Sequence, residues 1–419
     1  MTSKINFLSR KMLISRYIHK LQSILLTVIF ILCMSFLASN NTATADTFGC
    51  FVGTGNTPAI CNSKPALTTS INGQKCTNGL PGVGDWNTTS TNTNNDVTVI
   101  SIHGGNIEVK TSDISEDLHN FYNWNHYNFN GHVINSDCAQ LATLYNPICK
   151  VGDTFCTLHI TAENFNDPTA LQLVTTHPRA VSIHGCGSSC STNTICIGGR
   201  NLTNRNLVRN YINQYKGLIS NSPLTFVEDN PQSADTGAFC DSDIMGNDED
   251  NIVNLTNTGE GIQLEISKDI RLTLANNSIQ NDLLRTIVYG GTAEGVGELP
   301  LPILATNGTE NYTTSAGTFK RYQLKVENKI EYPADLFAAA PNLPPCGLNT
   351  NSSRTWVNIY NASNDQYIYG FCALGTPENL DSIWFAVQDG NIPPSAVYIT
   401  LEDRQNNRIY RSNRVTITP

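Results

Sequence analysis

Val99-Ile100-Ser101-Ile102-His103-Gly104-Gly105 and Ala180-Val181-Ser182-Ile183-His184-Gly185-Cys186 are two versions of one phrase. Each is a short run of β-branched and apolar residues that closes on Ser-Ile-His-Gly. Such runs, bounded by glycine, predict buried strands. Similar runs occur at 155–160 and 262–266, and residues 111–122, 203–217 and 270–284 have helical spacing. Strands alternating with helices predict an α/β domain over 96–290, with a mixed sheet flanked by helices.

In such sheets ligands bind at the carboxyl ends of the strands. A histidine there points at the site, and the glycine after it lets the chain turn sharply. Two histidines on neighbouring strand ends can share a metal, and catalytic zinc takes three protein ligands and keeps one position open. Glu108, five residues after His103 across Gly104-Gly105-Asn106-Ile107, is the candidate third ligand beside His103 and His184. Hydrolysis also needs a base that is not a ligand. Glu265, in the apolar run Ile262-Gln263-Leu264-Glu265-Ile266, is that candidate, because burial of an unused carboxylate is costly. The bland readings stand beside these. A strand-end histidine is often a hydrogen-bonded core residue, and Glu265 has a possible partner in Arg271, six residues on.

The flanks place the domain outside the cytoplasm. Lys4, Arg10, Lys11, Arg16 and Lys20 precede an apolar run over 21–38, and Ala43-Thr44-Ala45 closes it. This is the pattern of a secretory signal peptide over 1–45, with an uncleaved membrane anchor as the alternative. The chain has 13 cysteines, and setting aside Cys33 in that segment leaves an even 12. In an exported chain these read first as disulfides, with Cys346 expected to pair with Cys372. Cys186, Cys190 and Cys196 have no zinc-finger spacing. Net charge is −9, and without the five leader cations the remainder stands at −14. Nucleic acid is therefore excluded as a partner.

Residues 46–95, with Cys50, Cys61 and Cys76, form a polar extension whose Asn/Thr tract reads as a linker. A Gly-rich stretch over 290–297 opens a connecting segment, 291–345, with room for one or two strands. From 346 to 419 the runs at 355–360, 367–373, 382–387, 396–401 and 409–417 alternate, with turn residues between them, and predict a small all-β sandwich.

The motif blocks resemble one family. His103-Gly104-Gly105-Asn106-Ile107-Glu108 followed by Thr111-Ser112-Asp113 is similar to the opening block of the poly-γ-glutamate hydrolases, the phage-type zinc hydrolases. Leu158-His159-Ile160-Thr161 with Asn166-Asp167-Pro168, the His184 phrase, Gly198-Gly199, Asn251-Ile252-Val253-Asn254 and Gly259 to Ser267 follow in family order. The resemblance implies a zinc-carboxypeptidase-like fold, zinc on His103, Glu108 and His184, and Glu265 as general base. It also implies a γ-glutamyl amide substrate. The chain departs from the pattern at Ala162-Glu163-Asn164, where the family often has Ser-His-Arg, and at Asp113 for Glu. These departures bear on substrate choice rather than on metal binding.

The expected function is a secreted zinc-dependent amide hydrolase acting on poly-γ-glutamate or a cell-wall peptide. Zinc would acidify water and polarise the carbonyl while Glu265 moves the proton. Arg179, Arg200 and Arg271 are the candidate cations for an anionic polymer, and each is equally a structural residue. His119, His126, His132, His159 and His177 read as surface or structural. The rival is a binding protein with a retired hydrolase domain and a partner-holding β-sandwich.

Overall fold

Val97, Val99, Ile100 and Ile102 make one strand apolar on both sides, and such a strand needs cover on both faces of its sheet. The computed structural model describes residues 86–131, 161–163, 165, 167–220, 224–228, 239–345 and 352–418. All of these lie in one compact unit, Cys50–Pro419. Among them, seven strands form a mixed sheet. Its order is β1 (Trp86–Thr91), β3 (Asn125–Gly131), β2 (Val97–Gly105), β4 (Arg179–His184), β7 (Glu260–Ile266), β5 (Thr194–Gly198) and β6 (Phe226–Glu228). The four central strands run parallel; β1 is antiparallel to β3, and β5 to β7.

Each face has its own helices. α1 (Thr111–Tyr122), α3 (Leu202–Tyr215), α4 (Lys268–Leu274) and α5 (Ile279–Gly295) pack with Val97, Val99, Val181, Ile183, Ile262 and Leu264. α2 (Pro168–Thr175) packs with Ile100, Ile102 and Ala180 on the other face. Full burial of each such aliphatic side chain contributes about 1.5–3 kcal/mol. α2 begins where Asp167 accepts hydrogen bonds from the Thr169 and Ala170 amides, with Pro168 in the first turn.

The structure corrects several expectations. The end of the polar tract is not all linker: Trp86–Thr91 pairs with β3 along its length. An edge strand is held by backbone hydrogen bonds and needs no apolar face of its own. The helix expected over 270–284 is two helices, broken around Asn276 and Asn277. The Gly-rich stretch does not break the chain, because α5 runs through it to Gly295. Side chains there would collide with α3: a Cβ on Gly291 would lie 2.5 Å from Ile212 Cγ1, and one on Gly295 would lie 2.3 Å from Val208 Cγ2. The glycines serve close helix packing.

Beyond α5 lie β8 (Leu304–Thr314), β9 (Gly317–Val326), β10 (Thr355–Asn361), β11 (Gln366–Ala373), β12 (Ile383–Gln388), β13 (Ala396–Asp403), β14 (Arg408–Arg411) and β15 (Val415–Thr416). They form two sheets, β11-β10-β13-β14 with β15 on β13, and β12-β9-β8. The second sheet draws two of its strands from the expected connecting segment. The run expected over 409–417 is broken between β14 and β15, where Asn413 turns inward to bond the Leu304 amide and carbonyl.

Cys372 is disulfide-bonded. Its expected partner Cys346 lies outside the described residues, as do the 1–45 leader, Cys50, Cys61, Cys76, the 155–160 run, His132 and His159. Among the described residues no helix is long and apolar enough to cross a membrane.

Candidate active site

β2, β4 and β7 lie side by side and parallel, so their carboxyl ends open on one edge of the sheet. From β2 the chain passes through α1 to β3 on one side, while β4 lies on the other. This reversal leaves a crevice above the strand ends. His103 stands near the end of β2, and His184 ends β4. Glu265 on β7 is the register partner of His184.

Glu108 reaches the same place by a turn. Its amide donates to the His103 carbonyl at 2.8 Å, and its own carbonyl accepts from Thr111 Oγ1 at 3.0 Å, at the start of α1. Gly105 makes the turn possible. Its φ is 67°, and a Cβ there would lie 2.3 Å from the Gly131 carbonyl oxygen.

His103 Nδ1 is 2.9 Å from Glu108 Oε1 and 3.1 Å from His184 Nδ1. His184 Nδ1 is 3.9 Å from Glu108 Oε2 and 3.8 Å from Glu265 Oε1. The ligand atoms of His103, Glu108 and His184 all lie within 4.8 Å of one another. Both histidines are buried. Ser182 Oγ lies 2.8 Å from His184 Nε2. The tautomer that donates Nε2–H to Ser182 leaves the Nδ1 lone pair facing the cluster. Two imidazole nitrogens and a carboxylate converging this closely form a borderline-soft N/N/O donor set, and that set fits zinc.

Glu265 sits beside the set. Burial, and then the Glu108 carboxylate, push its carboxyl well above the usual carboxylate range, against the Gln263 hydrogen bond and Arg271. Gln263 Nε2 donates to Glu265 Oε1 at 2.9 Å and to the Ile244 carbonyl at 2.8 Å. Asn251 Nδ2 donates to Gln263 Oε1 at 2.9 Å, which fixes the amide's orientation. The carboxyl therefore has one oxygen held in place beside His184.

With this geometry in view, the α/β domain is similar to several known proteins. The family model described as poly-γ-glutamate hydrolase matches residues 81–141 and 150–287. Over these residues the α/β domain resembles the poly-γ-glutamate hydrolase family. The SPbeta prophage-derived UPF0714 protein YoqZ of Bacillus subtilis (strain 168) is 32% identical over 191 residues, 46% of this chain and 56% of that protein. UPF0714 protein YndL of the same organism is 28% identical over 193 residues, 45% of this chain and 60% of that protein. The chain thus spans little more than half the length of these curated relatives.

Two solved structures are also similar. A bacteriophage poly-γ-glutamate hydrolase matches at 22% identity and a TM-score of 0.41, over 58% of this chain and 97% of that one. A zinc-free apo YndL matches at 22% identity and a TM-score of 0.36, over 51% of this chain and 82% of that one.

The cleft at the strand ends is a cavity of about 340 Å³ lined by His103, Glu108, His184 and Glu265 together with residues of the loops around them. The three candidate arginines are all occupied elsewhere. Arg179 bonds the Val296 carbonyl and faces Asp96 and Glu298, each at 3.6 Å. Arg200 faces Glu249 at 3.7 Å. Arg271 is buried behind the His184–Gly185 turn and bonds the Val109 and Ile266 carbonyls. His119 and His177 bond the carbonyls of Trp124 and Leu173, and His126 stacks on His119.

Cysteines shape the rim. Cys186 pairs with Cys190, and Cys196 with Cys240. Cys186, Cys190 and Cys196 also cluster closely enough to resemble a metal group, but sulfurs joined in disulfides are not thiolate ligands. The Cys196–Cys240 bond ties β5 to the loop that supplies Asp243, Ile244 and Gly246 to the cleft. Closing its 44-residue span is worth on the order of 4 kcal/mol.

Sequence reading missed Ser182, Gln263 and Asn251. The first two had a signal: each stands two residues before a candidate site residue on its own strand, and so on the same face.

Proposed function

We propose that this chain is a secreted, zinc-dependent hydrolase of amide bonds, directed at γ-glutamyl linkages in poly-γ-glutamate or a cell-wall peptide. The observation that carries this reading is the convergence of His103 Nδ1, His184 Nδ1 and the Glu108 carboxylate, with Glu265 beside them. In this reading His103, Glu108 and His184 hold the zinc, in a carboxypeptidase-like arrangement at the strand ends. When bound, zinc supplies a Lewis acid that polarises the scissile carbonyl and acidifies water.

The remaining work falls to the chain. Ser182 holds His184 in the tautomer that presents Nδ1. The Gly185 amide donates to Glu108 Oε2 at 2.6 Å and steadies that carboxylate. Glu265 takes a proton from water and returns it to the departing nitrogen. Its buried setting raises its basicity toward that of a neutral-pH base. The rival reading, a retired enzyme whose C-terminal sandwich binds a partner, would be favoured by a missing ligand or base, and all four candidates are present.

The test is metal content and turnover on purified protein. Wild type should hold about one zinc per chain, and His184→Ala should lose it together with activity. Glu265→Gln should keep the zinc and lose amide hydrolysis by at least about 100-fold. Wild type that takes up no zinc on dialysis would sink the reading.

A further inference from the structure

Three polar atoms on the outer face of the β-sandwich lack partners, and they are independent of the hydrolase reading above. In the sheet β11-β10-β13-β14, Val357, Ile359, Val397, Ile399 and Leu401 belong to the main core. Side chains alternate along a strand, so Trp356, Asn358 and Tyr360 of β10 share the opposite face with Tyr398, Thr400 and Glu402 of β13. Register sets Gly370, Asn358, Thr400 and Arg411 in one row across the four strands. Trp356 stands on one side of that row. Tyr360, Tyr367 and Tyr398 stand on the other, with Tyr360 stacked on Tyr398 at 5.2 Å and edge-on to Tyr367 at 6.0 Å.

The row between these rings is polar and starved of hydrogen bonds. Asn358 is 4% exposed and Thr400 7%. Asn358 Oδ1, Thr400 Oγ1 and Trp356 Nε1 are buried with no partner. Glu402 Oε1 accepts from Asn358 Nδ2 at 2.7 Å, which fixes the amide's direction. Gly370 lets the polar atoms converge: a Cβ there would meet Asn358 Oδ1, Trp356 Nε1 and Tyr367 Oη, all within 3.0 Å. Buried polar groups are nearly always paired, and leaving them unpaired costs stability.

An acceptor, a donor and a hydroxyl, all neutral, are satisfied by groups that both donate and accept. Sugar hydroxyls do this, and the C–H faces of a pyranose pack on aromatic rings such as those beside the row. Carboxylates and phosphates are acceptors and give Asn358 Oδ1 nothing. The nearby cation is engaged, since Arg411 faces Asp365 at 3.6 Å and lies 3.8 Å from the centre of the Tyr398 ring. We propose that this face of the sandwich binds a neutral polysaccharide, with Trp356, Asn358 and Thr400 as its hydrogen-bonding residues. Tyr367, 49% exposed on the edge strand β11, turns outward to admit a sugar and lays its ring on it.

The experiment titrates the full chain with β-1,4-linked hexamers of glucose and of N-acetylglucosamine, and with γ-linked hexaglutamate. Calorimetric heat and tryptophan emission are read together. A sugar hexamer should bind and hexaglutamate should not compete with it. Tighter binding of the N-acetylglucosamine chain would name a wall-type glycan as the source, and tighter binding of the glucose chain a plain glucan. Thr400→Val deletes the hydroxyl while keeping the shape, and Trp356→Phe deletes the N–H. Each should weaken binding about 3–10-fold. Trp356→Phe should also lose the emission change. The melting temperature of Thr400→Val should be no lower than that of wild type, because the substitution removes a buried unpaired atom. His184→Ala should bind sugar as wild type does, which separates this face from the zinc reading.

No binding of either hexamer, or binding unmoved by both substitutions, overturns the proposal and leaves an ordered water as the partner of these atoms. Hexaglutamate bound instead, and weakened by the same substitutions, overturns it as well.

Discussion

Two cavities of this molecule make an instructive pair. The larger, about 400 Å³, is lined by residues of α1, α5 and the β14–β15 turn; the smaller, about 340 Å³, sits at the strand ends of the α/β sheet. In the larger one the buried acid is neutralised. Asp282 is bonded by both Arg285 and Arg414, and Asp117 accepts from Tyr289 Oη at 2.9 Å. In the smaller one, Glu108 and Glu265 lie beside imidazoles and near each other, and among the described residues no lysine or arginine lines the wall. Size therefore does not mark the chemistry. A matched ion cluster stabilises a junction, whereas imidazoles and carboxylates that converge at strand ends are what the proposed zinc site and its base require.

The largest expected effect tests the matched cavity. Asp282→Ala leaves two arginines facing each other without their carboxylate and should cost about 3–5 kcal/mol of stability in denaturant unfolding. Zinc content and specific activity of the folded fraction should stay at wild-type levels. A loss of zinc would mean that the two cavities are coupled and would break the comparison.

Next in size is Gln263→Leu in the strand-end cavity. It removes the donor that holds Glu265 Oε1 while keeping the volume. Activity should fall about 10–100-fold. The loss should appear in kcat, with KM and zinc content unchanged. A change confined to KM would assign Gln263 to substrate binding instead.

The smallest effect concerns a carboxyl in neither cavity. Burial, with Glu331 nearby, raises Glu294 from 4.5 to about 7. The folded chain therefore keeps a proton there that the unfolded chain has released. This site favours folding most below pH 4.5, and that advantage is lost as pH climbs toward 7. Glu294→Gln should stabilise the protein by roughly 1–2 kcal/mol at pH 8 and leave it unchanged at pH 4. Thermal melts at the two pH values check this. The variant should also retain full activity, because Glu294 is a half-buried acid with no part in the proposed site.

Much of the fold was legible where the pattern is local. The residues of α1 carry their apolar side chains at helical spacing, β2 and β4 are rich in β-branched residues, and β7 carries Ile262, Leu264 and Ile266 at alternate positions. The elements that escaped were those whose partners are distant. Asn125–Gly131 is polar by composition, and it is a strand because β1 and β2 pair with it on either side. Gly290, Gly291 and Gly295 look like a break, and they are helical because α3 presses against them.

The candidate site divides in the same way. By itself the sequence determined that two histidines and an acid stand at or near strand ends, since period-two alternation and a following glycine are properties of the local chain. Only the tertiary structure decided that β4 lies between β2 and β7, that the Gly104–Gly105 turn carries Glu108 back over His103, and that Gln263 and Asn251 hold Glu265. It also decided that Arg271 sits behind Gly185, bonded to the Val109 and Ile266 carbonyls, while Glu163 and Asp243 line the cleft. The physical reason is that pairing order and charge environment are set by contacts between segments far apart in the chain, 162 residues between Val109 and Arg271, and no local pattern encodes them.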